Sequence, residues 1–112
     1  MTRSVIHLPG VVRDGAHAFV TAAGHDDFIV FADLVARRLG SETHNDLAAT
    51  RERLLGARVG EITDEWAVHT EIGIWRAKLD DLLRQCPDLT EPVRELTAQA
   101  PGIDGPEPTG RN

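Results

Sequence analysis

The sequence has no tyrosine, three phenylalanines, two tryptophans and one cysteine, Cys86. Because aromatic residues make up only 4% of the chain, a core must be built mainly from Leu, Val, Ile and Ala, which favours packed helices over a β-sandwich. A single cysteine cannot form an internal disulfide, and this fits a reducing compartment. The length of 112 residues indicates one domain that can bury a core without disulfides or a metal.

Long apolar runs and phosphate-binding loops are also missing. No stretch approaches the ~20 apolar residues of a membrane-spanning helix, and the N-terminus lacks the apolar segment of a secretory signal. The Gly56–Gly60 segment lacks the Gly-Lys-Ser/Thr ending of a phosphate loop. We therefore expect a cytoplasmic protein with no membrane span and no cofactor.

The charge is acidic and unevenly distributed. The net charge of −6 disfavours binding to nucleic acid, because phosphates would be repelled. Residues 37–58 carry five arginines against three acids, a net charge of +2, whereas residues 61–91 carry three basic residues against eight acids, a net charge of −5. This asymmetry either steers a partner or a second copy of the chain, or reflects two solvated helix faces.

The first third of the chain predicts an irregular arm and two helices. Residues 1–13 lack helical periodicity and contain the turn signal Pro9-Gly10, so they predict a docked arm or a short hairpin. The first helix is predicted over residues 14–24, with Asp14 as its cap, and the second begins after Asp26 or Asp27. Its predicted inward stripe comprises Phe28, Phe31, Val35 and Leu39, widened by Ile29, Val30 and Leu34.

Three further helices are predicted in the rest of the chain. The third runs from Ser41 to Arg58, the fourth and longest over about residues 62–86, and the last follows a stop at Pro87 and a cap at Thr90. Gly73 within the fourth helix indicates a close helix crossing or a kink. The predicted inward residues are Leu47, Thr50, Leu54 and Leu55 in the third helix, Trp66, His69, Ile72 or Gly73, Arg76, Leu79, Leu82, Leu83 and Cys86 in the fourth, and Val93, Leu96 and Ala100 in the last.

These elements predict an all-α fold, a compact bundle of four to five helices. The irregular N-terminal arm covers residues 1–13, the helical domain residues 14–100, and a disordered tail residues 101–112. The tail is rich in proline and glycine and has too few apolar residues to order itself.

Several residues suggest chemistry, and each has a structural interpretation that we favour. Glu65 and His69 lie four residues apart on one helix and supply at most two metal ligands, with a third to come from His25 or His44. Neighbouring aspartates before a helix, as in His25-Asp26-Asp27, are first of all caps. Cys86 lies at a helix C-terminus, where the dipole disfavours a thiolate, so a buried apolar role is predicted.

The two tryptophans cannot easily share one face of the fourth helix. Trp66 and Trp75 lie nine residues apart, which is two and a half turns, and so they point to roughly opposite sides. One of them is therefore a candidate anchor for a protein interface, because exposed tryptophan is enriched at binding hot spots. The alternative is that another helix or the arm covers it.

The segment from Ile74 to Pro101 carries a resemblance to a known group of proteins. A tryptophan-led helix with a Leu-Leu pair, a break at proline and a final helix resembles the effector-associated type of helical adaptor regions in actinobacterial conflict and immunity signalling systems. The matching residues are Trp75, Leu79, Leu82, Leu83, Pro87, Leu89, Val93 and Leu96. The resemblance spans roughly residues 14–100 and implies pairing between adaptors rather than catalysis.

We therefore expect a non-enzymatic protein–protein interaction or adaptor module, able to self-associate through an apolar helical ridge. The predicted partner-binding residues are Trp75, Leu79, Leu82, Val93 and Trp66. Three alternatives remain: a small dimeric DNA-binding regulator using the arginines of residues 37–58, a metal-dependent enzyme using Glu65 and His69, and a subunit of a larger structural assembly.

Overall fold

The fold is all-α, as predicted, and is known from a computed structural model that describes residues 8–59 and 62–101. Two strands of two residues each, β1 (Arg58–Val59) and β2 (Ile62–Thr63), pair antiparallel between the third and fourth helices. This pair was not predicted. A short 3-10 helix over Pro87–Leu89 precedes the last helix. The elements are α1 (Leu8–Ala23), α2 (Phe28–Leu39), α3 (Ser41–Gly56), β1 (Arg58–Val59), β2 (Ile62–Thr63), α4 (Glu65–Gln85) and α5 (Thr90–Gln99).

Helix α1 begins earlier than predicted, because Pro9-Gly10 lies in its first turn and not in a loop. Proline is tolerated there, since the first backbone N–H groups of a helix have no partner within it. Asp14 lies inside the helix and pairs with Arg13 instead of capping it. The predicted irregular arm is therefore wrong for residues 8–13, while residues 1–7 and the predicted tail over 102–112 lie outside the described residues.

Helix α1 forms the centre of the bundle and contacts each of the other four helices. Its buried side chains are mostly small: Val12, Ala16, Ala18, Phe19, Val20, Ala22 and Ala23. A Cβ atom at Gly15 would lie 3.1 Å from side-chain atoms of both Leu79 and Val93. Gly15 is thus the glycine at a close helix crossing, whereas Gly73, predicted for that role, faces open space.

Helices α2 and α5 cover another side of α1. Phe28, Phe31 and Val35 are buried, as predicted, and the Phe31 ring meets Phe19 edge-on with centroids 5.5 Å apart. Arg38 joins the end of α2 to Glu95 of α5 by a salt bridge. Ile29 and Val30, predicted to widen the buried stripe, are instead 74% and 67% exposed, because the neighbouring helices α1, α3 and α5 leave this side of α2 uncovered.

A side chain of helix α3 binds the backbone of the turn between α1 and α2. The Arg51 guanidinium donates hydrogen bonds to the backbone oxygens of Ala23 and His25, both at 2.9 Å. It also lies over the Phe28 ring, 4.9 Å from the centroid. The cation thereby satisfies carbonyls at the C-terminus of α1, where a positive charge is favoured by the helix dipole.

Helix α3 begins at Ser41, as predicted, and ends earlier than predicted. It follows Gly40, which has φ of 102°, and no side-chain hydrogen bond caps it. It ends at Gly56, and the chain enters the hairpin at Arg58. Leu47, Thr50 and Leu54 are buried as predicted, whereas Leu55 is 38% exposed.

Helix α4 faces the core with a side that agrees only in part with the prediction. Its buried residues are Glu71, Trp75, Leu79 and Leu83, of which Leu79 and Leu83 were predicted to face inward. Of the residues predicted to face inward, Trp66, His69, Arg76 and Cys86 are exposed. The cap is Asp64, whose Oδ1 accepts a hydrogen bond from the backbone N–H of Trp66 at 3.1 Å. Thr90, predicted to cap α5, is the first residue of that helix and makes no cap hydrogen bond.

A polar network between α3 and α4 explains why the inward face of α4 includes a carboxylate. Trp75 Nε1 donates a 2.7 Å hydrogen bond to Thr50 Oγ1, which itself donates to the backbone oxygen of Asp46. Beside it, Arg53 donates to both oxygens of Glu71, at 2.6 and 2.8 Å. The hydrogen bond that Arg53 donates to the Glu71 carboxylate, opposed by burial, raises the pKa of Arg53 above its usual value. The network fixes the rotation of α4 against α3.

Two glycine substitutions test the helix crossing. We expect Gly15→Val to lower the free energy of unfolding by about 1–3 kcal/mol, because the added atoms overlap Leu79 and Val93. We expect Gly73→Ala to raise it by up to ~1 kcal/mol, since its surroundings are open and alanine favours helix. Urea unfolding followed by circular dichroism measures both. A destabilising Gly73→Ala would contradict the placement of α4.

Substitution of threonine by valine tests the buried hydrogen bond. We expect Thr50→Val to cost about 1–3 kcal/mol in unfolding free energy, because it leaves Trp75 Nε1 buried without an acceptor. The matched control is Thr70→Val, whose exposed hydroxyl bonds the backbone oxygen of Trp66, four residues earlier, in the same way that Thr50 bonds that of Asp46. Equal costs for the two variants would rule out a special role for the Trp75 bond.

Candidate interaction surfaces

The predicted partner-binding ridge does not form a surface in the folded chain. Trp75, Leu79 and Val93 are each at most 1% exposed, because they pack against Gly15 and Phe19 of α1. Leu82 is half-buried against the same core. This part of the site prediction is corrected: these residues hold the bundle together, and only Trp66 among the five is open to a partner.

Trp66 is 77% exposed in the first turn of α4. The turn itself is fixed, since the Asp64 carboxylate caps it and Thr70 donates a hydrogen bond back to the Trp66 backbone oxygen. On α3, near the other end of the hairpin connection, Leu55 is 38% exposed. The structure thus answers which tryptophan is covered: α1 covers Trp75, and no described element covers Trp66.

A second apolar surface lies on α2, and we call it the α2 patch: Ile29, Val30, Leu34 and Pro101. Ile29 and Val30 stand out from the helix, whereas Leu34 and Pro101 are half-buried. Beside Val30 runs a groove of about 360 Å³ between α2 and the end of α5, lined by Asp27, Val30, Phe31, Leu34, Gln99 and Pro101. The patch therefore combines a protruding side chain with an adjacent apolar recess.

The recess between α3 and α4 has a different character. Its volume is about 300 Å³, and its lining is mostly polar: Glu42, Thr43, Asp46, Trp75, Lys78, Leu79, Asp81, Leu82 and Gln85. Lys78 reaches Asp46 at 3.5 Å and so joins α4 to α3. The apolar part is small, because Trp75 and Leu79 are almost fully covered.

The residues with candidate chemistry have structural roles or lie exposed. His25 Nδ1 accepts a hydrogen bond from the Asp27 backbone N–H at 3.1 Å, so His25-Asp26-Asp27 forms the turn before α2. Glu65 and His69 are exposed, and the described part of the chain has no group of three side chains placed to hold a metal. Cys86 is exposed at the end of α4, which corrects the prediction that it is buried.

The arginines proposed for a DNA-binding face are largely engaged within the protein. Arg37 pairs with Asp33 at 3.0 Å, and Arg38 pairs with Glu95. Arg51 is bound to backbone oxygens, and Arg53 is bound to Glu71. These four cations lie on α2 and α3, and each already has a partner within the protein. This weakens the case for a DNA-binding face.

The sequence contains the information that Ile29 and Val30 are exposed, although the apolar pattern alone predicts them to be part of the core. With a turn every ~3.6 residues, Ile29 and Val30 do not lie directly opposite Phe28, Phe31 and Val35. The apolar stripe predicted to face the core therefore widens to include them. The charged positions Asp26, Asp33 and Arg37, which are spaced with Val30, mark the solvent side. Their spacing, and not apolarity, identifies the exposed face.

Among the described residues, no helix is both long enough and apolar enough to cross a bilayer. No protein-family model, no curated protein and no solved structure matches this chain. The suggested kinship with actinobacterial adaptor regions therefore stays a prediction.

Fluorescence of single-tryptophan variants tests the placement of the two indoles. In Trp75→Phe the remaining Trp66 is expected to emit at long wavelength and to be quenched efficiently by acrylamide, because it is 77% exposed. In Trp66→Phe the remaining Trp75 is expected to emit at short wavelength and to resist quenching, because it is 1% exposed. Emission and quenching of the folded variants are compared with those in urea. The reverse order would show that α4 is rotated.

Proposed function

We propose that the protein is a non-enzymatic interaction module that self-associates through the α2 patch. The observation that carries this proposal is the exposure of two adjacent β-branched side chains, Ile29 at 74% and Val30 at 67%. A single exposed apolar residue is ordinary on protein surfaces, whereas neighbouring exposed apolar residues beside a recess are a candidate contact site.

The shape of the patch supports a second copy of the chain as its partner. A two-fold interface joins the same surface from both copies, so it requires a surface that complements itself. The proposal is supported by the presence of both shapes on α2, since Ile29 protrudes and a recess lies beside Val30 and Leu34. Each copy offers one projection and one recess.

The surrounding bundle gives the patch a rigid base. Phe28 lies beneath the Arg51 guanidinium, Phe31 packs edge-on against Phe19, and Arg38 anchors the end of α2 to α5. A contact surface on such a fixed helix loses little conformational entropy on binding, which favours association. The patch is nevertheless small, so the self-association is expected to be weak.

Sedimentation equilibrium of the full chain tests the proposal. We expect concentration-dependent association with a dissociation constant on the order of 100 µM, the weak range that a small interface gives. The double variant Ile29→Ser with Val30→Ser is expected to weaken association at least about tenfold through lost apolar burial. The matched control is Leu55→Ser, an exposed apolar residue of α3, which should leave the dissociation constant unchanged.

A wild-type chain that stays monomeric up to about 1 mM, a concentration well above the expected dissociation constant, would overturn the proposal. If Trp66→Ala removes association and the α2 variant does not, self-association stands but the contact surface is the first turn of α4. A large discrete mass would instead favour the structural assembly among the alternatives. Circular dichroism of each variant shows that the bundle remains helical.

A further inference from the structure

We propose that the α2 helices of two copies pair antiparallel around a two-fold axis, with Asp26 of each copy facing Arg37 of the other. This inference rests on the proposed self-association and assigns it a register. The observation behind it is a charge gradient along the exposed side of α2, which begins with Asp26 and Asp27 and ends with Arg37.

The exposed side of α2 carries Ile29, Val30, Asp33 and Arg37. Asp26 is also exposed and lies in the turn just before the helix, so the strip begins in this turn and ends in the last turn of α2. Within the strip the acids of the entry turn come first, the apolar pair follows, and a 3.0 Å salt bridge from Arg37 to Asp33 lies in the last part. A parallel pairing would place like charges side by side, whereas an antiparallel pairing places acid against base.

One axis position brings together the charges and the Val30 side chains. In the sequence, the midpoint between Asp26 and Arg37 is also the midpoint between Val30 and Asp33. A two-fold axis there sets Asp26 level with Arg37 of the second copy, while Ile29 and Leu34 lie on the two flanks of the contact. The same axis brings the two Val30 side chains within about 4.5 Å of each other along the helix direction, at ~1.5 Å per residue.

The existing ion pair fits this arrangement. Asp33 falls at the level of Val30 of the second copy, an unfavourable neighbour for a carboxylate without a counter-charge. Its charge is compensated by Arg37 of its own chain, at 3.0 Å. Arg37 then lies between Asp33 of its own helix and Asp26 of the other, and the symmetry produces this three-member charge network twice.

Charge-exchange variants of the full chain test the register. We expect Arg37→Glu and Asp26→Arg each to weaken self-association at least about tenfold, because each replaces two attractive contacts per dimer by two repulsive ones. The double variant Asp26→Arg with Arg37→Glu should recover most of the wild-type dissociation constant. The matched control is Arg84→Glu, which removes an exposed pair of the same spacing, Arg84 with Asp80 at 2.9 Å, on α4.

The outcomes separate this inference from the proposed function. Loss in both single variants and recovery in the double variant support the antiparallel register. If the singles leave the dissociation constant unchanged, while Ile29→Ser with Val30→Ser still weakens association, the register is wrong and the self-associating patch stands. If the double variant stays as weak as the singles, the facing of Asp26 and Arg37 is overturned. A monomeric wild type overturns both proposals.

Discussion

The burial of helix α1 is the constraint on which the rest of the structure depends. Its side chains are small enough for other helices to approach closely, and a Cβ atom at Gly15 would lie only 3.1 Å from Leu79 and Val93. Because few aromatic residues are available, the core buries its apolar surface mainly through this close approach of helices. It also contains three aromatic side chains in edge-to-face contact, Phe31 with Phe19 and Phe19 with Trp75. Because α1 contacts each of the other four helices, each of them must turn its apolar face toward α1.

The use of apolar residues in this core decides which surface remains for function. Trp75, Leu79 and Val93, which in the sequence resemble a binding ridge, are needed to cover α1. Helix α2 has more apolar residues than it can bury against the other helices, so Ile29 and Val30 are exposed. The surface proposed to self-associate is thus the part of the apolar surplus that the bundle does not bury. Trp66 and Leu55 are exposed as well, and they lie on α4 and α3.

The helices themselves were largely predictable, because their stops are local. Gly40 ends α2, Pro87 ends α4, and Val93 and Leu96 mark the buried side of α5. The early start of α1 was missed, since Pro9-Gly10 signals a turn as readily as the first turn of a helix. The rotation of α4 was partly missed, although Val68, Ile72, Trp75, Leu79 and Leu82 recur every three to four residues and all lie against the core. What this spacing does not show is that a carboxylate, Glu71, is buried on the same side, because that depends on Arg53 far away in the sequence.

The most direct test of the account is an NMR dilution series of the full chain, which follows backbone amide shifts from about 20 µM to about 1 mM, a range that brackets a weak small interface. The account predicts concentration-dependent shifts concentrated on α2, from Asp26 to Arg37, and at the end of α5 beside Pro101. The amides of Trp66 and Leu55 should stay unchanged. Shifts confined to the first turn of α4, or no dependence on concentration, would contradict the claim that α2 is the contact surface.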